Sequence, residues 1–181
     1  MGYTHYFPQI KAITPAQWNA ICDDIEKLCE KAYSLGIALS MSGEGEDDLC
    51  YVEKFPIESP DATLLEDHTV NLVQSTDLML IENNPPVAYF NGFGDDAHET
   101  FYLTYNDYTF NFCKTRSKPY DDVVVACLFS MMYHALDAYN ISSDGECKES
   151  FMAGALLWKE TFPDRVFNTL SKDLLCIEAQ D

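Results

Sequence analysis

The stretch from Val123 to Ala135 reads VVVACLFSMMYHA, and it constrains the fold more than any other part of the chain. A helix apolar on every side has no face to offer water, so it has to lie inside the protein, enclosed by other elements. Pro119, followed by Asp121 and Asp122, suits the first turn of such a helix: proline needs no N–H there, and acids complement the dipole. The rest of the chain has to supply layers that wrap it.

The sequence supplies them. TPAQWNAICDDIEKLCEKAYSLG reads as an amphipathic helix. Thr14 and Gln17 form a capping box, Pro15 fits the first helical position, and Gly36 is a natural stop. Trp18, Ile21, Cys22, Ile25, Leu28, Cys29 and Ala32 fall on one face, with acids and lysines on the other. A third helix is expected through CKESFMAGALLWKETF, capped by Ser143 and Glu146 and stopped by Pro163, with a short final helix in DRVFNTLSKDLL. Strand chemistry occurs in GYTHYF and IALSM. DLMLIE and VAYFNG flank an NNPP turn, while ETFYLTY and YTFNFC flank ND, which predicts an antiparallel meander of about four strands. Residues 51–76 carry no clear period. The expected fold is α+β, one domain over 1–181, with an antiparallel sheet of about four or more strands packed with about three main helices, one central and buried.

Thirty acids against eleven Lys and Arg give a formal charge of −19. Phosphate repulsion then argues against nucleic acid held across a broad surface. A solvated acidic surface, docking on a basic protein, and competition for a surface that holds DNA or RNA all remain open. The candidate interaction residues are Glu44, Glu46, Asp47 and Asp48 in GEGEDD, with Asp23, Glu26 and Glu30 on the outer face of the first helix. No run of eighteen uninterrupted apolar residues occurs, so no membrane span is expected. The start lacks a signal-peptide pattern and the residue type needed for myristoylation, which predicts a cytoplasmic protein. Seven cysteines, an odd number without C-x-x-C, read as small buried hydrophobes in a reducing compartment.

Three short motifs could carry chemistry. Lys114, Arg116 and Lys118 concentrate positive charge just ahead of Pro119, where a helix N-terminus could help hold a phosphate or carboxylate; a solvated loop paired with nearby acids is the plainer account. Asp95, Asp96, His98 and Glu99 follow two glycines and could bind a divalent cation or supply an acid/base pair; an ordinary polar turn has the same composition. Ser142 and Ser143 in SSDG could hold phosphate or cap a helix. His5 and His134 read as core or boundary histidines. No P-loop, dinucleotide-binding, nucleophile-elbow or zinc-protease pattern is present, so no catalytic residue is assigned.

The set MGYTHYF, FNGxGDDAHETF, FCKTxxKPYD and SSDG resembles a family of small proteins from bacteriophages and bacterial genomes, over Met1 to about Trp158. That family has no established activity, so the resemblance transfers no catalytic residue. It implies a phage or mobile-element origin and a setting inside the bacterial host cell. The function expected is protein–protein interaction with a basic partner, including inhibition of a nucleic-acid-binding host defence protein, without a cofactor. The alternative is binding or hydrolysis of a phosphorylated small molecule or nucleotide at the GDDAHE, KTRSK and SSDG turns, with a divalent cation as the cofactor to consider.

Overall fold

The computed structural model describes residues 4–44, 48–56, 85–144 and 147–166, the backbone alone for 147–150. The expected DLMLIE strand, the final helix beyond 166, and Glu46, Asp47 and Glu146 lie outside the described residues.

The first helix, α1 (Pro15–Ser34), forms as its caps dictate: Gln17 N–H donates to Thr14 Oγ1 at 3.2 Å, and the Gln17 side chain accepts from Thr14 N–H at 2.9 Å. Gly36 leaves the helix at φ +88°, a conformation glycine adopts without strain. Its apolar face is buried along its whole length. The central helix α2 (Asp121–Ala135) begins just after Pro119, with Asp121 N–H on the carbonyl of Lys118 at 2.9 Å. Every residue from Val123 to Met132 is buried, and only Tyr133 near the end is clearly exposed, at 41%. It packs against α1 and against α3 (Cys147–Thr161). Gly154 of α3 permits that approach: a Cβ there would stand 2.4 Å from the Val125 side chain and 2.8 Å from the Asp122 carbonyl.

The described strands make two antiparallel sheets. In the first, β1 (Thr4–Tyr6) lies between β6 (Phe112–Lys114) and β7 (Ser142–Ser143), with His5 opposite Cys113 on one side and Ser143 on the other. In the second, β4 (Val87–Gly92) pairs along one edge with β2 (Leu39–Ser40) and β3 (Tyr51–Val52), and along the other with β5 (Phe101–Thr104). The fold is therefore α+β, as its sequence pattern predicts. The strands after β4 do not continue as one meander. After β5 the chain turns at Asn106, whose φ is 50°, and the Asn106 carboxamide oxygen accepts from Ile13 N–H and from the Gln9 side chain. Phe7 N–H then donates to Asn111 at 2.9 Å. These bonds carry the chain across to the N-terminal segment, so FCK pairs with β1 instead of β5.

One core joins both sheets to the helices. Phe101 bridges the sheets, packing on Phe7 at 5.3 Å and on Phe90 at 5.1 Å between ring centres. No helix among the described residues is long and apolar enough to cross a membrane.

Candidate functional site

The turns singled out in the sequence meet at one corner. Lys114 ends β6 opposite Thr4. The carbonyl of Lys114 accepts from His98 Nδ1 at 2.6 Å, so that nitrogen carries the proton, and the Glu99 carboxylate accepts from Lys114 N–H at 2.8 Å. On the far side of β1, Thr4 N–H donates to Asp144 Oδ1 at 2.6 Å. GDDAHE, KTRSK and SSDG are thus joined through the end of the first strand. Ser142 and Ser143 form β7 itself, opposite Tyr6 and His5.

The corner is densely hydrogen-bonded. The buried Asn91 carboxamide donates to the His98 carbonyl and Thr100 hydroxyl, and accepts from Gly92 and His98 N–H groups. Gly92 has no room for a side chain: a Cβ would lie 2.2 Å from the Asp96 carbonyl. Arg116 and Ser117 both adopt positive φ, 53° and 56°, and Lys118 N–H returns to the Thr115 carbonyl at 3.1 Å. That is a tight turn with two left-handed residues, a conformation that usually selects Asn and Gly. Lys118 donates to the Asp95 carbonyl at 2.5 Å. Lys114 and Arg116 are exposed and form no ion pair with the described residues.

Beneath the corner lies a buried polar cluster. His5 Nε2 bonds Asp121 Oδ1 at 2.8 Å, and the Thr115 hydroxyl donates to the same oxygen. Asp121 therefore brings the negative charge that the α2 N-terminus favours. Nδ1 of His5 is buried without a hydrogen-bond partner among the described residues. Next to Asp121, Asp122 is pushed up from the usual carboxylate range by burial and by the Asp121 charge. The Asp95, Asp96, His98 and Glu99 groups do not converge: His98 is committed to the Lys114 carbonyl and Glu99 to the Lys114 N–H, while Asp95 and Asp96 are exposed. No set of three His, Cys, Asp or Glu among the described residues is placed to hold a metal ion.

The described candidate interaction acids sort into two places. Asp23, Glu26 and Glu30 from α1 face Asp48 across an open cleft of about 660 Å³, which Lys27, Leu49 and Cys50 complete. Lys54 bridges Asp23 at 2.8 Å and Glu26 at 2.5 Å. Partial burial opposes the Lys54 charge, but these bonds outweigh it and lift its pKa to about 12. Glu30 and Asp48 have no such cation among the described residues. Glu44 lies elsewhere, in a recess of about 550 Å³ shared with Asn91, Asp95 and His98. At the cleft, Cys50 is held below the usual thiol range by a hydrogen bond with Cys29, against the effect of burial. Burial pushes Cys22 up to about 12 and keeps Cys29 and Cys127 protonated too. Cys22, Cys29, Cys50, Cys113 and Cys127 are all free thiols.

Two features escaped the sequence analysis. Asp24 sits on the buried face of α1, where His134 Nε2 meets it at 2.9 Å and Arg165 forks onto both its oxygens. The Arg165 guanidinium also lies 3.8 Å from the Phe162 ring centre. The second is a row of tyrosines on the outer face of the four-stranded sheet: Tyr51, Tyr89 and Tyr102 stack across β3, β4 and β5 at 5.0 Å and 5.6 Å. Alternation of aromatic residues in each strand was the available signal; the register that aligns them was not. No family model, curated protein or solved structure matches the chain.

Proposed function

We propose that this protein acts by binding a basic protein partner through the cleft between α1 and residues 48–50. The observation that carries the reading is the convergence of Asp23, Glu26, Glu30 and Asp48, from two separate segments, on one concave surface. A charge of −19 adds long-range attraction for a basic partner. In the finer form of this proposal the partner is a nucleic-acid-binding protein of the bacterial host, including a defence protein, and the acids stand where phosphates would. The test is co-purification from bacterial cells, comparing the wild-type chain with E30Q/D48N. The recovered partner should associate more slowly with the variant, and more slowly with the wild type as salt rises. DNA or RNA should compete for it. Equal association rates for both chains across salt would refute the cleft, and a ternary complex with nucleic acid would refute the mimicry.

A second reading rests on the exposed Lys114 and Arg116, which have no ion-pair partner among the described residues of so acidic a chain. Under it, the corner joining KTRSK, His98 and Asp144 binds a phosphorylated small molecule or nucleotide. Phosphate or nucleotides should then raise the melting temperature by mass action, and K114A/R116A should abolish the rise. No rise with any phosphorylated compound in the wild type would remove this reading.

A further inference from the structure

We propose that the tyrosine row on the outer face of the four-stranded sheet, with Glu53 beside it, is the surface that takes an arginine side chain of the basic partner. The proposal rests on the basic-partner reading above and extends its contact surface beyond the acidic cleft.

The inner face of this sheet is core: Ala88, Phe90, Phe101 and Leu103 are fully buried. Side chains alternate across a strand, so Tyr89 and Tyr102 project outward. Cross-strand pairing of Tyr51 with Tyr89, and of Tyr89 with Tyr102, sets the three rings in one line. Tyr51 is 36% exposed and Tyr102 47% exposed. Tyr89 is the middle ring of the stack, and the two outer rings are the exposed ones. Tyr51 OH donates to Glu53 Oε1 at 2.6 Å, and Val87 N–H donates to Glu53 Oε2 at 3.2 Å. The carboxylate is thereby fixed beside the Tyr51 ring, and no Lys or Arg among the described residues pairs with it.

An aromatic face next to a fixed carboxylate complements a flat cation. A guanidinium can stack on a tyrosine ring and donate in plane to a carboxylate at the same time, whereas an ammonium is a compact, strongly hydrated point charge. A tyrosine phenol is neutral at physiological pH in any case, and the hydrogen bond to Glu53 moves the Tyr51 pKa further up. Continuity with the cleft strengthens the assignment. Asp48, Leu49 and Cys50 line the cleft and Tyr51 is the next residue, so the two surfaces adjoin along the chain. Nucleobases could stack on such rings too, but their phosphates meet a charge of −19.

The experiment uses the full chain with two fluorescent peptides of equal length and charge, octa-arginine and octa-lysine, followed by anisotropy at fixed salt. The wild type should bind the arginine peptide about three- to tenfold more tightly than the lysine peptide. Y51L/Y102L leaves the charge unchanged and should erase that preference while lysine-peptide affinity stays the same. E53Q should weaken the arginine peptide more than the lysine peptide, which guards against a fold defect in the double variant. Equal affinity of the wild type for both peptides, or a preference that survives Y51L/Y102L, would overturn the proposal; so would tyrosine fluorescence that responds to uridine or glucose and not to the arginine peptide. E30Q/D48N separates the two ideas: it should weaken both peptides and retain the arginine preference. If it weakens both while the wild type shows no preference, the cleft stands and the tyrosine assignment falls; if neither peptide binds the wild type, both fall.

Discussion

At the scale of single residues, the buried carboxylate of Asp24 is the clearest polar commitment in the helical layer. Burial alone would raise its pKa, but hydrogen bonds from His134 and Arg165 outweigh it and hold the group below its ordinary value of 3.8. A carboxylate depressed in the folded state stabilises the fold above its ordinary pKa, and that contribution is lost as pH falls through the folded value. Asp24→Asn should therefore destabilise the protein at pH 7. Arg165 keeps some access to water, so the cost should be about 1–3 kcal/mol instead of the larger cost of stranding a fully buried charge. Urea midpoints at pH 7 and pH 3 should show the wild type approaching the variant as pH falls below about 4; a difference that does not shrink with acid would show that shape, not charge, matters at this position. The sequence pattern puts Asp24 with the acids on the polar face of an amphipathic helix, whereas the structure buries it. Its partners stand 110 and 141 positions away, and no local pattern carries that information. Thr14 and Gln17 were legible because capping is settled within one turn.

At the scale of elements, the all-apolar helix was readable because its period leaves no solvent face, and α2 is indeed central. Leu128→Ala removes a fully buried side chain from its middle and should cost about 2–5 kcal/mol, measured by urea denaturation. Gly154 gives the complementary test. Alanine usually strengthens a helix by about 0.5–1 kcal/mol relative to glycine. Here its Cβ would collide with Val125 and with the backbone of Asp122, neither of which can yield at a flexible tip. Gly154→Ala should therefore lower stability by about 1–3 kcal/mol, the usual scale of overpacking; a gain would mean that α2 and α3 separate easily. The strands were harder to place. VAYFNG and ETFYLTY were read correctly as neighbours, since β4 and β5 pair over four residues on each strand. FCK was assigned to the same meander because ND resembles a hairpin turn. Its position is fixed instead by bonds from Asn106 to Gln9 and Ile13, contacts between segments far apart in the chain. The corner where the three turns meet was legible as motifs, and the tyrosine row was not, for the same reason: motifs are local, while a row across three strands exists only after register is set.

At the scale of the whole molecule, the excess of negative charge has two consequences of opposite value. It attracts basic partners over distance, and it repels itself in the compact state. Acids retained for the fold should be paired or buried, as Asp24, Asp121 and the Lys54-bound Asp23 and Glu26 are. Glu30 and Asp48 form no ion pair among the described residues, yet they line one cleft with Asp23 and Glu26, where like charges repel and a basic partner would relieve them. Neutralising them should then make the isolated protein more stable, the expected trade between stability and a functional surface. In thermal melts at about 10 mM salt, where the Debye length is about 30 Å, E30Q/D48N should melt above the wild type. At about 1 M salt, where it shrinks to about 3 Å, the two curves should coincide. The same substitutions should slow association with the basic partner, so one pair of side chains would raise stability and lower function together. A variant that melts below the wild type at low salt would place Glu30 and Asp48 among the residues that hold the fold, and would leave the cleft without its charge argument.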